Sequence, residues 1–491
     1  MFFKLLKYWL RLVGKRKIIE TVANKLQKDQ AIMGKRFIFF LYETTHYQSL
    51  QLVFLARVLV SFGAECKMIL CNGGPMPCEL KSEYEDHSLI CWGCRIGRGL
   101  LGDLDVIELE ILLKNVGEGD PDQVDIKAAK DSVLRYYHGN ITKASKDLTR
   151  QTKLQKYSAK LGLVAEYVDK MYSADFIVMN MTDYVYFKKF AEYFKKLGRL
   201  RTVSLTDFDH QQVVLNSYQL FPAGERYRAF KKSNGALCRS QVEKLSDFMS
   251  ARLGGRNPSG SRYKYQARKD ALVELLGIDV TKKNVFLFPN LHWDQGVSSS
   301  NSIFDDVVEW VGSTIEGLEN ARHIDLYVKP HPEEHFNKAS KGFGVMEAVK
   351  QAGFSCNRVK VIGPKLNINP VDLFPYIDLG IISSGTLGLE MMYHGIRCVN
   401  VGISPYSDTP LGSSFDSVEK YTDFVREPLS DFYWPDEDEV QSFCYFYFIE
   451  SLVDWPFTGR ARNDEYFSVN PARCFDEVRA LNFAERLMET S

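Results

Sequence analysis

Residues 378–395 read DLGIISSGTLGLEMMYHG, and the character of the chain changes twice within them. Leu379–Ser383 has the length and apolar run of a buried strand, and Thr386–His394 carries apolar residues at helical spacing. Between them, Ser383-Ser384-Gly385-Thr386-Leu387-Gly388 offers small hydroxyls and glycines at the junction. A strand running through such a junction into a helix is a unit of a parallel α/β sheet. Small residues let the backbone approach a ligand, and amides at a helix start attract negative charge. The glycine spacing matches neither a Walker A loop nor a dinucleotide fingerprint. A Ser/Thr helix cap with no ligand reads the same way.

The alternation continues outward. It predicts helix Lys269–Leu276, strand Val285–Pro289, helix Asp305–Asn320, strand Ile324–Lys329, helix Gly344–Ala352, strand Val359–Ile362, helix Val371–Tyr376 and strand Cys398–Val401. Residues 259–430 are therefore expected to form one doubly wound domain, with its ligand contacts at the carboxyl ends of the strands. Three such ends are polar. After Ile324–Lys329 comes KPHPEEH (329–335), in which Pro330 and Pro332 hold His331 in a stiff turn beside Lys329. An imidazole so placed can donate a hydrogen bond to phosphate or to a leaving oxygen, while Glu333 and Glu334 suit hydroxyls or neighbouring groups. A rigid surface turn is the plainer alternative. After Val285–Pro289 comes Asn290-Leu291-His292-Trp293-Asp294, where Asp294 can serve as a base and Trp293 can stack on a sugar ring. Ser383, Ser384, Gly385 and Thr386 form the third end, and Glu390 follows within two helical turns, with acceptors suited to a ribose cis-diol or to a local cap. Gly402–Tyr406 reads as a loop that can lie against a base.

Upstream, strand Phe37–Tyr42, a helix over Gln48–Val60 and strand Lys67–Cys71 open a second parallel sheet, and Glu43–His46 sit just past its first strand. This acceptor-side domain is expected over 37–258, closing at the GGRNPSGS connector (254–261), with a helical tail, 431–491, packing back on it. Residues 1–36 hold ten Lys or Arg against Glu20 and Asp29, and Phe2, Phe3, Trp9 and several leucines lie among them. That pattern suits a basic amphipathic helix on an anionic membrane or a protein partner.

Composition excludes fibrous and largely disordered classes, since the 491 residues are 45% apolar and 25% charged. A formal net charge of zero gives no global pull toward nucleic acid. No apolar run approaches the roughly 18 residues of a membrane helix, and no secretory leader is evident. The expectation is a cytoplasmic protein, peripheral at the inner face of the membrane. Cys71, Cys78, Cys91 and Cys94 are spaced so that four thiolates can hold a structural zinc ion, with an iron–sulfur cluster or uncoordinated thiols as the alternatives.

Through LFPNLHWD (287–294), YVKPHPEEH (327–335), DLGIISSGTLGLEMMYHG (378–395) and NVGISPY (400–406), the chain resembles bacterial capsular polysaccharide biosynthesis glycosyltransferases, including their capsule-type Kdo-transferase and polysialyltransferase relatives. The resemblance spans roughly 284–425. It implies a GT-B-like α/β fold of two facing Rossmann-like domains and a nucleotide-sugar donor, CMP- or UDP-linked. It also implies donor-phosphate binding by His331 with Pro332 and by Ser383 with Ser384. CMP-sugar relatives carry an acidic pair followed by Gly that supplies the base. Glu118-Gly119-Asp120 and Glu83-Tyr84-Glu85-Asp86 match it poorly, which leaves donor and base open. The expected function is transfer of a sugar from an activated nucleotide to a surface polysaccharide or its lipid-linked acceptor. A nucleotide-sugar epimerase, a polyol-phosphate transferase and a non-catalytic scaffold are the alternatives.

Overall fold

The structure, a computed structural model, describes residues 28–41, 47–72, 78, 82–83, 87–205, 212–215, 223–253, 269–291, 302–318, 321–331, 334, 345, 349–350, 359–363, 366, 368–413, 415–427, 434–456 and 477–489. The chain divides into two compact units, one of Met1–Ser132, Thr149–Leu220 and Ser451–Ser491, the other of Val133–Leu148 and Phe221–Glu450. Each holds its own sheet. The strands are β1 Arg36–Leu41, β2 Glu65–Leu70, β3 Asp105–Glu108, β4 Phe176–Met179, β5 Leu200–Leu205, β6 Gln212–Leu215, β7 Lys283–Phe288, β8 Ile324–Val328, β9 Val359–Val361, β10 Leu379–Ile382, β11 Arg397–Asn400 and β12 Leu452–Asp454.

In the first unit the order is β12-β6-β5-β4-β1-β2-β3, parallel from β5 to β3 and antiparallel at β6 and β12. The central strand β1, RFIFFL, is buried from Phe37 to Leu41. An apolar run without alternation is what a parallel strand covered on both faces requires. In the second unit all five strands are parallel, in the order β11-β10-β7-β8-β9. Helix Val307–Leu318 covers one face with Trp310, Val311 and Ile315. The Trp310 indole donates to the Tyr421 hydroxyl at 3.1 Å, so a polar tip in that core is satisfied. The two Rossmann-like α/β units expected of a GT-B-like chain are thus both present. Among the described residues no helix is long and apolar enough to cross a membrane.

Two expected boundaries are corrected. The first unit does not run to 258: helices Gly224–Asn234 and Arg239–Leu253 belong to the second. They are held there by Ala223 N–H donating to the Pro405 carbonyl at 2.7 Å, Gly224 N–H to Asp408 at 2.9 Å, and Phe248 stacked on Phe448 at 5.6 Å. The tail also splits, since helix Glu437–Tyr445 and the π-helical turn Phe446–Glu450 stay with the second unit and only the chain from Ser451 joins the first. There β12 pairs with β6, and helix Glu477–Met488 buries Ala480, Phe483, Ala484 and Leu487, with Phe483 edge-on to Trp455 at 5.3 Å. Strands β3, β5, β6 and β12 escape the sequence pattern because they are short or carry polar residues, as DVIE and LVD do, so few positions report a period.

The returning helix is locked by Arg201 of β5, which is 2% exposed. Its Nε donates to the Leu487 carbonyl at 2.8 Å, its Nη1 to the Gly198 and Leu200 carbonyls at 2.9 Å, and its guanidinium lies 4.9 Å from the Phe176 ring centre. Arg201→Ala removes three charge-assisted bonds and is expected to cost about 2 kcal/mol or more. Hydrogen exchange over 477–488 should accelerate before the rest of the unit; unchanged exchange there contradicts the locking role.

Candidate functional site

Numbered within the second sheet, the strand order is 3-2-1-4-5, so the winding direction reverses between β7 and β10. In open α/β sheets the crevice beyond the carboxyl ends at such a reversal is where ligands bind. The three polar strand ends read from the sequence meet there. Asn290, two residues past β7, donates from Nδ2 to the Ser384 hydroxyl, two residues past β10, at 3.4 Å. On the other side of β7, Lys329 N–H donates to the Leu287 carbonyl at 2.9 Å and carries the ladder one residue beyond β8, up to Pro330 and His331.

The local chemistry suits an anion. Gly385 has φ +108° with nothing within 4 Å of where a Cβ would stand, so glycine is required by the backbone and not by crowding. Among the described residues no acceptor meets the backbone N–H of Gly385, Thr386, Leu387 or Gly388. Lys329 is 6% exposed, and burial pushes its ammonium down to about 8. His331 is half-buried. Its carbonyl accepts from Glu334 N–H at 3.1 Å, and the buried Glu334 carboxylate accepts from Val345 N–H at 3.2 Å. Glu334 thus links His331 to Val345. Pro332, Glu333, His335, His292, Trp293 and Asp294 lie outside the described residues, as do Glu43 to His46.

Glu390 is occupied by a residue that sequence reading missed. Arg252, in the last turn of helix Arg239–Leu253, donates to Glu390 Oε1 from Nε at 2.9 Å and from Nη2 at 2.5 Å. The same Nη2 reaches the Thr386 hydroxyl at 3.1 Å, and that hydroxyl lies 3.3 Å from Glu390 Oε1. Thr386 accordingly does not cap the helix Leu387–Tyr393 with its side chain. A lone cation just before a Gly-rich stretch was the only trace of Arg252 in the sequence.

The loop expected against a base has another task. Tyr406 is 1% exposed, and its hydroxyl would stand 2.2 Å from a Cβ on Gly388. It braces the start of the helix from inside and presents no ring outward, so Gly388 is set by that packing. Arg228 donates to the Asp408 carbonyl at 3.0 Å, holding that loop further on. The cysteines are a second correction. Among the described residues no three His, Cys, Asp or Glu form a group able to hold a metal ion. Cys91 and Cys94 sit one turn apart on helix His87–Gly97, while Glu110 Oε1 accepts the Cys71 thiol at 3.6 Å and Asn72 N–H at 2.7 Å. The Glu118-Gly119-Asp120 stretch is explained by packing, since a Cβ on Gly119 would lie 3.0 Å from the Ala159 backbone and Glu118 accepts from Lys160 at 2.6 Å.

In the first unit the corresponding reversal lies between β1 and β4. Past β4, Asn180, Thr182 and Asp183 are buried, and Asp183 sits 3.5 Å from Lys188. Tyr184 follows at φ +62°, a conformation that a bulky residue adopts only when its surroundings impose it.

No protein-family model and no curated protein matches the chain. Solved structures that it resembles include a KpsC beta Kdo 2,4 transferase of Thermosulfurimonas dismutans, at 15% identity and TM-score 0.35 over 64% of this chain and 88% of that one. Another is an alpha,alpha-trehalose 6-phosphate synthase of Burkholderia multivorans, at 11% identity and TM-score 0.31 over 93% and 96%. A third is a UDP-GlcNAc 2-epimerase of Methanocaldococcus jannaschii, at 13% identity and TM-score 0.28 over 83% and 98%. At these values the likeness carries no argument, and the fold rests on the chain's own sheets.

Proposed function

We propose that the protein is a glycosyltransferase that moves a sugar from an activated nucleotide, CMP- or UDP-linked, to a surface polysaccharide or its lipid-linked acceptor. The observation that carries this reading is the convergence of Asn290, Lys329, His331 and Ser383–Thr386 beyond the carboxyl ends of three adjacent strands at the winding reversal of the second sheet. In transfer, an acceptor hydroxyl oxygen forms the new bond to the anomeric carbon as the bond from that carbon to phosphate oxygen breaks. The hydroxyl proton passes to a base, and the nucleotide leaves with the electron pair. The negative charge that grows on the leaving phosphate is what the amides of Gly385–Gly388, the Ser384 hydroxyl, Lys329 and His331 are suited to stabilise, while Ser383 is fully buried beneath them. Asp294 or an acid from residues 37–225 serves as the base. A nucleotide-binding fold alone does not establish catalysis, and the support here lies in donors gathered where charge develops.

Mass spectrometry with CMP-, UDP- and CDP-activated donors and an oligosaccharide acceptor should show an acceptor gaining one glycosyl unit, with free nucleotide released. His331→Ala should lower the rate by about a hundredfold, the typical loss for one positioned donor, without moving the melting temperature. A sugar altered while still on the nucleotide, with no acceptor required, would indicate an epimerase instead. Donor affinity should fall as pH rises through about 8, where Lys329 loses its proton, and Lys329→Arg, which stays charged, should flatten that limb. Loss of affinity with falling pH would be the wrong sign.

The basic, aromatic-containing segment 1–36 supports a peripheral contact with an anionic membrane surface at the cytoplasmic face. Co-flotation with vesicles containing phosphatidylglycerol, weakened by salt, is expected; equal recovery with neutral vesicles contradicts it.

A further inference from the structure

The Arg252–Glu390 pair is buried, with side chains 12% and 11% exposed, and it joins positions 138 residues apart. Taking two charges out of water costs several kcal/mol, and a pair that served only to staple two helices would recover most of that by meeting fork to fork, one nitrogen on each carboxylate oxygen. This pair does not. Both Arg252 nitrogens and the Thr386 hydroxyl converge on Oε1, and among the described residues no hydrogen-bond donor meets Oε2. The carboxylate is therefore held at one oxygen and open at the other, which keeps two lone pairs.

The guanidinium is itself constrained. It lies 5.3 Å from the Phe448 ring centre, on the π-helical turn Phe446–Glu450, whose helix also packs on this region through the Cys444 thiol, 3.9 Å from the Leu389 carbonyl. A π-type turn shifts the side chains after it by one position, and such turns are common at functional sites. Here the shift accompanies a ring set beside the cation. Thr386, the third member, belongs to the junction whose amides meet no acceptor among the described residues, so one guanidinium fixes both the junction and the open carboxylate.

We infer that Arg252 is a positioning residue that holds Glu390 with its free oxygen set for the ribose hydroxyls of the donor nucleotide, so that this distant arginine sets the preference for a ribonucleotide. The inference rests on the donor-site reading above. Arg252 does not touch the ribose; it fixes the rotamer of the group that does.

The test is calorimetric titration of the full chain with CMP, CDP and UDP and with their 2′-deoxy counterparts. The wild type should bind its preferred ribonucleotide at least about tenfold more tightly than the deoxy form, the worth of one hydrogen bond to a charged group. Arg252→Met, which keeps the stem against Phe448, should lose roughly tenfold to a hundredfold in affinity for the ribonucleotide, with the deoxy form changing less than about twofold. Arg252→Lys, which keeps the cation and is the safer variant for folding, should fall between, because an ammonium cannot bridge Glu390 and Thr386 as the planar fork does. Equal losses for ribo and deoxy ligands, or no loss, would overturn the positioning role and leave a structural staple. A wild type that binds nucleotide without discriminating would also overturn it while sparing the donor site. No nucleotide binding at all would remove both.

Discussion

The parallel pairing of β10 with β7 fixes everything else in the second unit. Its register sets Leu379 against Val285 and Ile382 against Phe288, so the residues two places further on, Ser384 and Asn290, come level and bond. The pairing of β7 with β8, with Leu287 against Val328, brings Lys329 and then Pro330-His331 to the same edge. A slip of one residue would turn each side chain to the opposite face of the sheet. The apolar runs LGII, KNVFLF and IDLYV, buried almost throughout, make that slip costly, and the precision of the polar edge derives from the core beneath it.

Burial then acts a second time, on the charges. Desolvation lowers the Lys329 ammonium to about 8, which makes its charge sensitive to an arriving anion in a way that an exposed lysine's is not. Glu390 is treated differently: Arg252 supplies its countercharge in a poorly solvated place. Tyr406 fills the volume behind Gly388 and leaves the junction no inward path. A stiff support below and amides that meet no acceptor among the described residues are what preorganised recognition of phosphate requires.

Much of this was legible in the sequence, for a local reason. Strands β7, β8 and β10 are short apolar runs whose polar ends follow directly in the chain, so pattern and candidate site are read from the same few residues. Arg252 was not legible, because its partner lies 138 positions away and a lone arginine carries no period. The unit boundary misled for a related reason. GGRNPSGS (254–261) looks like a linker, yet the helices before it are held to the second unit by Pro405, Asp408 and Phe448, contacts that local composition does not encode. The cysteines misled through spacing alone: thiols near one another in sequence lie on a regular helix and a strand end, where Glu110 takes up Cys71.

In the proposed donor site the junction amides past β10 and the segment past β8 together receive the phosphate of a nucleotide. Hydrogen exchange followed by mass spectrometry, with and without saturating CMP, CDP or UDP, reads those amides directly. Slowed exchange at 384–388 and 326–331 with one of these nucleotides is the result the claim predicts. Exchange at 384–388 that is equally fast with and without every nucleotide would contradict it.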